Sequence, residues 1–140
     1  MTSTTVIPSI HLHPDGRVLS RGLSAEDTGT SLCNAIGCDL FDVVSLQNGI
    51  DLFVDDEGIP NRAPLNLPAT VLAHVLGSRA VLFGVAVAVS VNAEGDTIGL
   101  TDQQRSVIVE ALQNKPDATT LRALAESLAP FPSIVERLPL

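Results

Sequence analysis

The sequence predicts an α+β fold in which a small mixed or antiparallel sheet, in the order ββαββαβ, carries a C-terminal helical hairpin. Three observations predict it. Short β-rich runs alternate with turn signals up to residue 91, two helical segments interrupt them, and only helical periodicity follows residue 100. Because 45% of the 140 residues are hydrophobic and 17% are charged, the chain can bury a core.

The N-terminal part predicts a hairpin followed by a helix. Two β-rich runs, 6–13 and 18–19, flank Pro14-Asp15-Gly16, whose residue types favour a tight turn. Ser24, with Asp27 three residues later, is typical of an N-cap. These residues predict a helix over 25–36 that ends at Gly37.

The middle of the chain predicts a second hairpin. The runs 40–46 and 50–54 are rich in β-forming residues, and Gln47, Asn48 and Gly49 separate them. Asn-Gly between strands favours a turn in which both residues have positive φ. We therefore expect a tight turn at Asn48 and Gly49.

A capped helix and a long strand come next. Asn66 is the predicted N-cap of a helix over 67–76, in which the first turn tolerates Pro68 and Gly77 marks the end. The valines of 81–91 alternate with leucine and alanine, so we expect one strand that is buried on both faces.

The C-terminal part predicts helices. Thr101 and Gln104 form a capping box, Asp117 caps a second helix, and Ser133 with Glu136 indicates one further turn. A polar turn at 92–96 precedes these helices.

A domain boundary is predicted between residues 92 and 100, where the composition changes. The chain then divides into an α+β domain over 1–91 and a helical appendage over 101–140 that packs on it. We expect the 10–91 region to fold without the appendage.

Four segments occur in an order that resembles a known family: 13–16, 48–58, 66–70 and 84–87. In combination they resemble the family of domains of unknown function numbered 3846, small proteins of bacteriophages, plasmids and their bacterial hosts. The resemblance covers about residues 10–91. It implies an accessory role in a mobile element and no particular reaction.

Composition and motifs exclude several classes of function. Because the net charge is −8, we do not expect the chain to bind nucleic acid directly. No secretory signal pattern opens the sequence, and the longest apolar run, 80–91, is too short for a membrane helix. We therefore expect a cytoplasmic protein with no membrane association, in which Cys33 and Cys38 are buried, reduced structural thiols. No motif of an established enzyme is present, so no cofactor is predicted.

The loop that enters the predicted helix at Leu67 is the best candidate ligand site. The helix N-terminus has unpaired N–H groups, and Arg62 supplies a bidentate donor for a phosphate or a carboxylate. With Asn61, Asn66 and Thr70, these groups predict a small pocket for a nucleotide-like anion. In the alternative reading Asn66 only caps the helix, Thr70 bonds to its own backbone, and Arg62 is solvated.

Histidines and carboxylates offer a second candidate site. His11 and His13 point to one face of a strand, and His74 could complete a set of three imidazoles for zinc. With the carboxylates of 55–57 they would suit a metal-dependent hydrolase. The simpler reading places His11 and His13 on the solvated face of the first strand and the carboxylates at a solvated hairpin end, and no metal site is predicted.

The predicted function is that of a non-enzymatic binding protein of phage or plasmid type, acting through protein–protein contacts with an unknown partner. Inhibition of a host factor is one form of such a role. High apolar content with few charges also predicts a homodimer, because monomers seldom expose large apolar patches. The alternatives are a binding protein for a nucleotide-like anion and a metal-dependent hydrolase.

Overall fold

The computed structural model describes residues 6–37, 40–55 and 63–138, and within them an antiparallel six-stranded sheet carries helices on both faces. The strand order is β2-β1-β5-β4-β3, and β6 pairs with β5. The strands are β1 (Val6–Leu12), β2 (Val18–Ser24), β3 (Phe41–Ser45), β4 (Ile50–Asp55), β5 (Ala86–Val91) and β6 (Thr97–Ile98). The helices are α1 (Thr28–Ile36), α2 (Leu67–Val75), α3 (Asp102–Gln113), α4 (Ala118–Ser127) and α5 (Pro132–Val135). The predicted α+β class is confirmed.

Helix α1 begins later than the sequence predicts. Asp27, and not Ser24, is the N-cap, and its side chain accepts from Thr30 N at 3.4 Å. Ser24 is the last residue of β2 and lies opposite Val6 in the ladder. Because strand pairing holds Ser24, the helix cannot start until the chain has left the sheet.

The second hairpin has the turn that its sequence predicts. Asn48 has φ 66° and Gly49 has φ 69°, and Leu46 N donates to Ile50 O at 2.8 Å across the base of the turn. Phe41 and Phe53 pack edge to face with ring centroids 5.1 Å apart, which ties β3 to β4.

Strand β5 is shorter than the predicted strand over 81–91. Its first residue is Ala86, because the segment before it bonds to the entry of α2 instead of the sheet. Leu82 O accepts from Asn66 N at 2.8 Å, and Gly84 N donates to Pro64 O at 2.8 Å. Strand β6, two residues long, was not predicted from the sequence.

The sheet separates two apolar clusters. The larger lies between the sheet and helices α2 and α3, and the smaller lies under α1. Strand β5 contributes Ala86 and Ala88 to the first and Val87 and Val89 to the second, so its two faces are buried as predicted. A third cluster joins Leu121, Leu124 and Leu128 of α4 to half-buried residues around α2 and α5.

The C-terminal helices differ in how they join this core. Thr101 and Gln104 form the predicted capping box of α3, and Asp117 caps α4 by accepting from Thr120 N at 2.7 Å. Ile108 and Ala111 of α3 belong to the larger cluster, whereas α4 and α5 pack in the third. The division into a domain and an appendage stays a prediction.

Candidate functional site

Asn66, a predicted ligand residue, is fully buried at the start of α2. Its Oδ1 accepts from Ala69 N at 3.0 Å, which is the predicted cap. Its Nδ2 donates to Leu12 O at 2.9 Å and to Gly84 O at 2.7 Å. The side chain therefore joins the helix, β1 and the segment before β5.

Thr70 is also fully buried and engaged inside the fold. Its hydroxyl donates to Asn66 O at 2.8 Å and accepts from Leu82 N at 3.1 Å. Both positions therefore have structural hydrogen bonds. Asn61 and Arg62 lie outside the described residues, so anion binding by the set of four stays a prediction.

The histidines do not converge. His11 lies on the face of the sheet that α1 covers, beside Ser9, and α2 carries His74 on the opposite face. His74 Nδ1 donates to Thr70 O at 2.7 Å, so its Nε2 accepts from Ser127 Oγ at 2.8 Å and links α2 to α4. Within the described ranges no three His, Cys, Asp or Glu side chains form a group suited to a metal ion. Asp56 and Glu57 lie outside those ranges.

The Ser9 and His11 pair has the wrong hydrogen-bond direction for a nucleophilic serine. The Ser9 hydroxyl donates to Arg21 O at 3.1 Å, so it accepts from His11 Nε2, 2.9 Å away. A nucleophile needs the reverse, with the histidine accepting the hydroxyl proton. Ser9 is 1% exposed, and burial lowers the pKa of His11, assisted by the charges of His13 and Arg21. The pair is a buried structural link.

A surface cleft of about 460 Å³ lies where the β1–β2 turn meets α2, α3 and α5. Four separate chain segments line it: Pro14, Asp15, Gly16, Val18, Leu65, Leu67, Pro68, Val71, Leu112, Ile134 and Arg137. Most of these side chains are aliphatic or proline. The cleft therefore presents an apolar floor with charges at its edges.

Two charged residues lie at that edge. Asp15 pairs with Arg17, with Oδ2 and Nε 2.7 Å apart, and the Arg17 backbone N–H lowers the pKa of Asp15. Arg137 follows α5, is exposed, and forms no ion pair with any carboxylate of the described residues. One cation beside an apolar floor suits an apolar segment that carries a carboxylate.

Reasoning from the sequence missed this cleft. Val71, Ile134 and Arg137 come from α2, from α5 and from the residues after α5, and no motif links them. The available signal was the surplus of apolar residues on the helices, which predicts buried surface but not its location.

The family profile described as Domain of unknown function (DUF3846) matches residues 11–113. The chain belongs to the DUF3846 family. The DUF3846 match includes most of the segment that carried the resemblance and continues through α3. No curated protein and no solved structure matches the chain.

Cys33 of this DUF3846 protein lies half-buried on α1, and Cys38 lies outside the described residues. None of the helices in the described ranges has the length and hydropathy that crossing a bilayer requires.

Proposed function

We propose that this DUF3846 protein is a non-enzymatic binding protein that acts through protein–protein contacts, with the cleft as its contact site. The observation that carries the proposal is the lining of the cleft, which is apolar except for Asp15 and Arg137. Sites for a nucleotide-like anion place several cationic or N–H donor groups around the phosphate. This lining has few such groups, and it suits the aliphatic side chains of another protein better.

The charged residues at the cleft edge determine which kind of partner segment can bind there. Asp15 is paired with Arg17, whereas Arg137 has no carboxylate partner among the described residues. The occupant is therefore an apolar segment of a partner protein with Asp or Glu beside its aliphatic residues. A role in a mobile element, as the resemblance implies, is part of this proposal.

Selection from a displayed peptide library on the immobilised full-length chain tests the proposal. We expect the enriched peptides to combine aliphatic residues with Asp or Glu. In Arg137→Glu the enriched charge changes from acidic to basic, because the variant reverses the charge at the cleft edge. Arg122→Glu is the matched control, since Arg122 is exposed on α4 and does not line the cleft.

Two outcomes contradict the proposal. Either no sequence is enriched, or Arg137→Glu selects the same peptides as the wild type. A rise in melting temperature with nucleotides, together with no response to any peptide, would favour the anion-binding alternative instead.

A further inference from the structure

Strand β2 is an open edge of the sheet, in that no strand of the described residues pairs with its outer side. In an antiparallel ladder, residue pairs that exchange hydrogen bonds alternate with pairs that do not. His13 N donates to Arg17 O at 2.9 Å, which sets the alternation in the hairpin. It follows that Val18, Ser20 and Gly22 direct their main-chain N–H and C=O groups away from β1.

Contacts on β1 support this alternation. Pro8 lies opposite Gly22, and its carbonyl accepts from Leu100 N at 3.0 Å on the side away from β2. Ser24 N, also directed outward, donates to Ser31 Oγ at 3.1 Å. The outward main-chain N–H and C=O groups of Val18, Ser20 and Gly22 have no hydrogen-bond partner among the described residues.

The opposite edge, β3, is protected. The hydrogen bond from Leu46 N to Ile50 O shows which residue pairs of β3 and β4 exchange hydrogen bonds. Val43 belongs to a pair that does not, so its N–H points outward. The Asp42 side chain accepts from Val43 N at 2.9 Å, so a carboxylate covers this edge. Charged residues on an edge oppose pairing with another strand.

Exposed valines lie beside the open edge. Val6 is 54% exposed and Val18 is 40% exposed, near the two ends of β2. Val6 Cγ1 occupies the space that a Cβ at Gly22 would need, so its methyl groups cover the bare backbone there. On the same face Arg105 of α3 donates to Ser20 Oγ at 2.7 Å.

We propose that a second copy of this chain pairs with β2 antiparallel, in a two-fold register centred on Ser20. In this register Val18 lies opposite Gly22 of the second copy and meets the Val6 that covers it. Two exposed valines from each copy are then buried. The outward groups supply up to about six main-chain hydrogen bonds.

The arginines of the β1–β2 hairpin favour this register over its neighbours. Centring on Ser20 places Arg21 opposite Leu19 of the second copy. A register centred on Arg21 places Arg21 opposite Arg21 of the second copy. A register centred on Leu19 places Arg21 opposite Arg17 of the second copy. Like charges directly opposite each other destabilise a strand pair.

Sedimentation equilibrium of the full-length chain, from micromolar to near-millimolar concentration, tests the proposal. We expect a dimer whose dissociation constant rises at least ~10-fold in Ser20→Pro. Proline removes an outward N–H there and leaves the β1 ladder intact. Ser20→Ala keeps the N–H and is expected to dimerise like the wild type. Val43→Pro, at an outward position of β3, is the matched control and is expected to remain dimeric.

A disulfide test covers the case in which Ser20→Pro fails to fold. At the two-fold centre the two Cα atoms of residue 20 lie about 5.5 Å apart, within the range of a disulfide. We expect Ser20→Cys to form covalent dimers on oxidation well above the wild-type background, and Ser45→Cys on β3 to remain at that background.

Three results overturn the proposal: a wild-type chain that is monomeric throughout the range, a dimer lost in Val43→Pro but kept in Ser20→Pro, or a Ser20→Cys chain that gives no more covalent dimer than Ser45→Cys. Since no partner protein is added, these experiments can fail while peptide selection at the cleft succeeds, and the reverse, although Val18 lines both the cleft and the proposed dimer contact.

Discussion

At the scale of single residues, Asn66 shows how one side chain joins three parts of the fold. A helix cap needs one acceptor, and Asn66 Oδ1 supplies it to Ala69 N. The amide nitrogen adds two donors, which satisfy the carbonyls of Leu12 and Gly84. Aspartate caps as well as asparagine but has no such donors, which explains the residue type.

Asn66→Ala is expected to lower the free energy of unfolding by roughly 2–4 kcal/mol, because it removes a cap and leaves buried polar groups unpaired. Urea unfolding measures the loss. Asp117→Ala, which removes an exposed cap, is the control and is expected to cost less. Equal losses in the two variants would contradict the role assigned to the Asn66 amide.

His11 makes stability depend on pH. Its folded-state pKa is lowered below the usual value of about 6.5, first by burial. The unfolded chain therefore binds more protons at this site than the folded chain, so stability is full above pH 6.5 and falls as the pH decreases. Unfolding free energies measured from pH 7.5 down to pH 5.5 are expected to decline in the wild type.

The matched variants are His11→Gln and His13→Gln. The decline is expected to flatten in His11→Gln and to persist in His13→Gln, because burial contributes more to the lowered pKa of His11 than the neighbouring charge does. The assignment to His11 is wrong if the two variants respond alike.

At the scale of elements, turns and caps follow from nearby residues, whereas strand lengths do not. The turn at Asn48 and Gly49 has the positive φ values that its sequence predicts. Gln104, the predicted capping-box residue, also donates through Nε2 to Asn48 O at 2.9 Å, so α3 holds this turn in place. The sequence contained no sign of that second contact.

Gly49→Val is expected to lower the free energy of unfolding by at least about 1 kcal/mol, since a β-branched residue is strained at φ 69°. Crowding is not the cause, because the nearest atom to a Cβ built there is Gln104 Nε2 at 3.5 Å. Asn48→Gly is the control and is expected to be nearly neutral. Thermal unfolding of both variants measures the difference, and no loss in Gly49→Val would show that the turn is of another type.

At the scale of the whole molecule, the sheet separates one cluster under α1 from a larger one under α2 and α3. Ile108 of α3 is fully buried in the larger cluster. Helices α4 and α5 instead pack around Leu124 and Leu128, next to residues of α2. The three C-terminal helices therefore differ in how much the sheet depends on them.

Two truncations measure that dependence. A chain that ends at residue 114 keeps α3 and is expected to unfold cooperatively. A chain that ends at residue 92 also loses Ile108 and is expected to be less stable, because the core faces of α2 become exposed. Circular dichroism during urea titration checks both. Equal stability of the two would contradict the structural role assigned to Ile108 of α3.

The sequence by itself determined the α+β class, the two hairpins and the caps at Asn66, Thr101 and Asp117. The hairpin turns and the caps each depend on residues within about four positions of one another, so local chemistry was sufficient for them. It also determined that residues 86–91 are buried on both faces, because that pattern lies within one strand.

Only the tertiary structure decided features whose partners are distant in the chain. Leu82 and Gly84 bond to the entry of α2 and not to the sheet, which shortens β5. Asn66 meets Leu12 across 54 positions, and the cleft brings together Val18, Val71 and Ile134. Periodicity shows that a residue is apolar or buried, but not which remote segment covers it, because packing depends on how the elements meet in space.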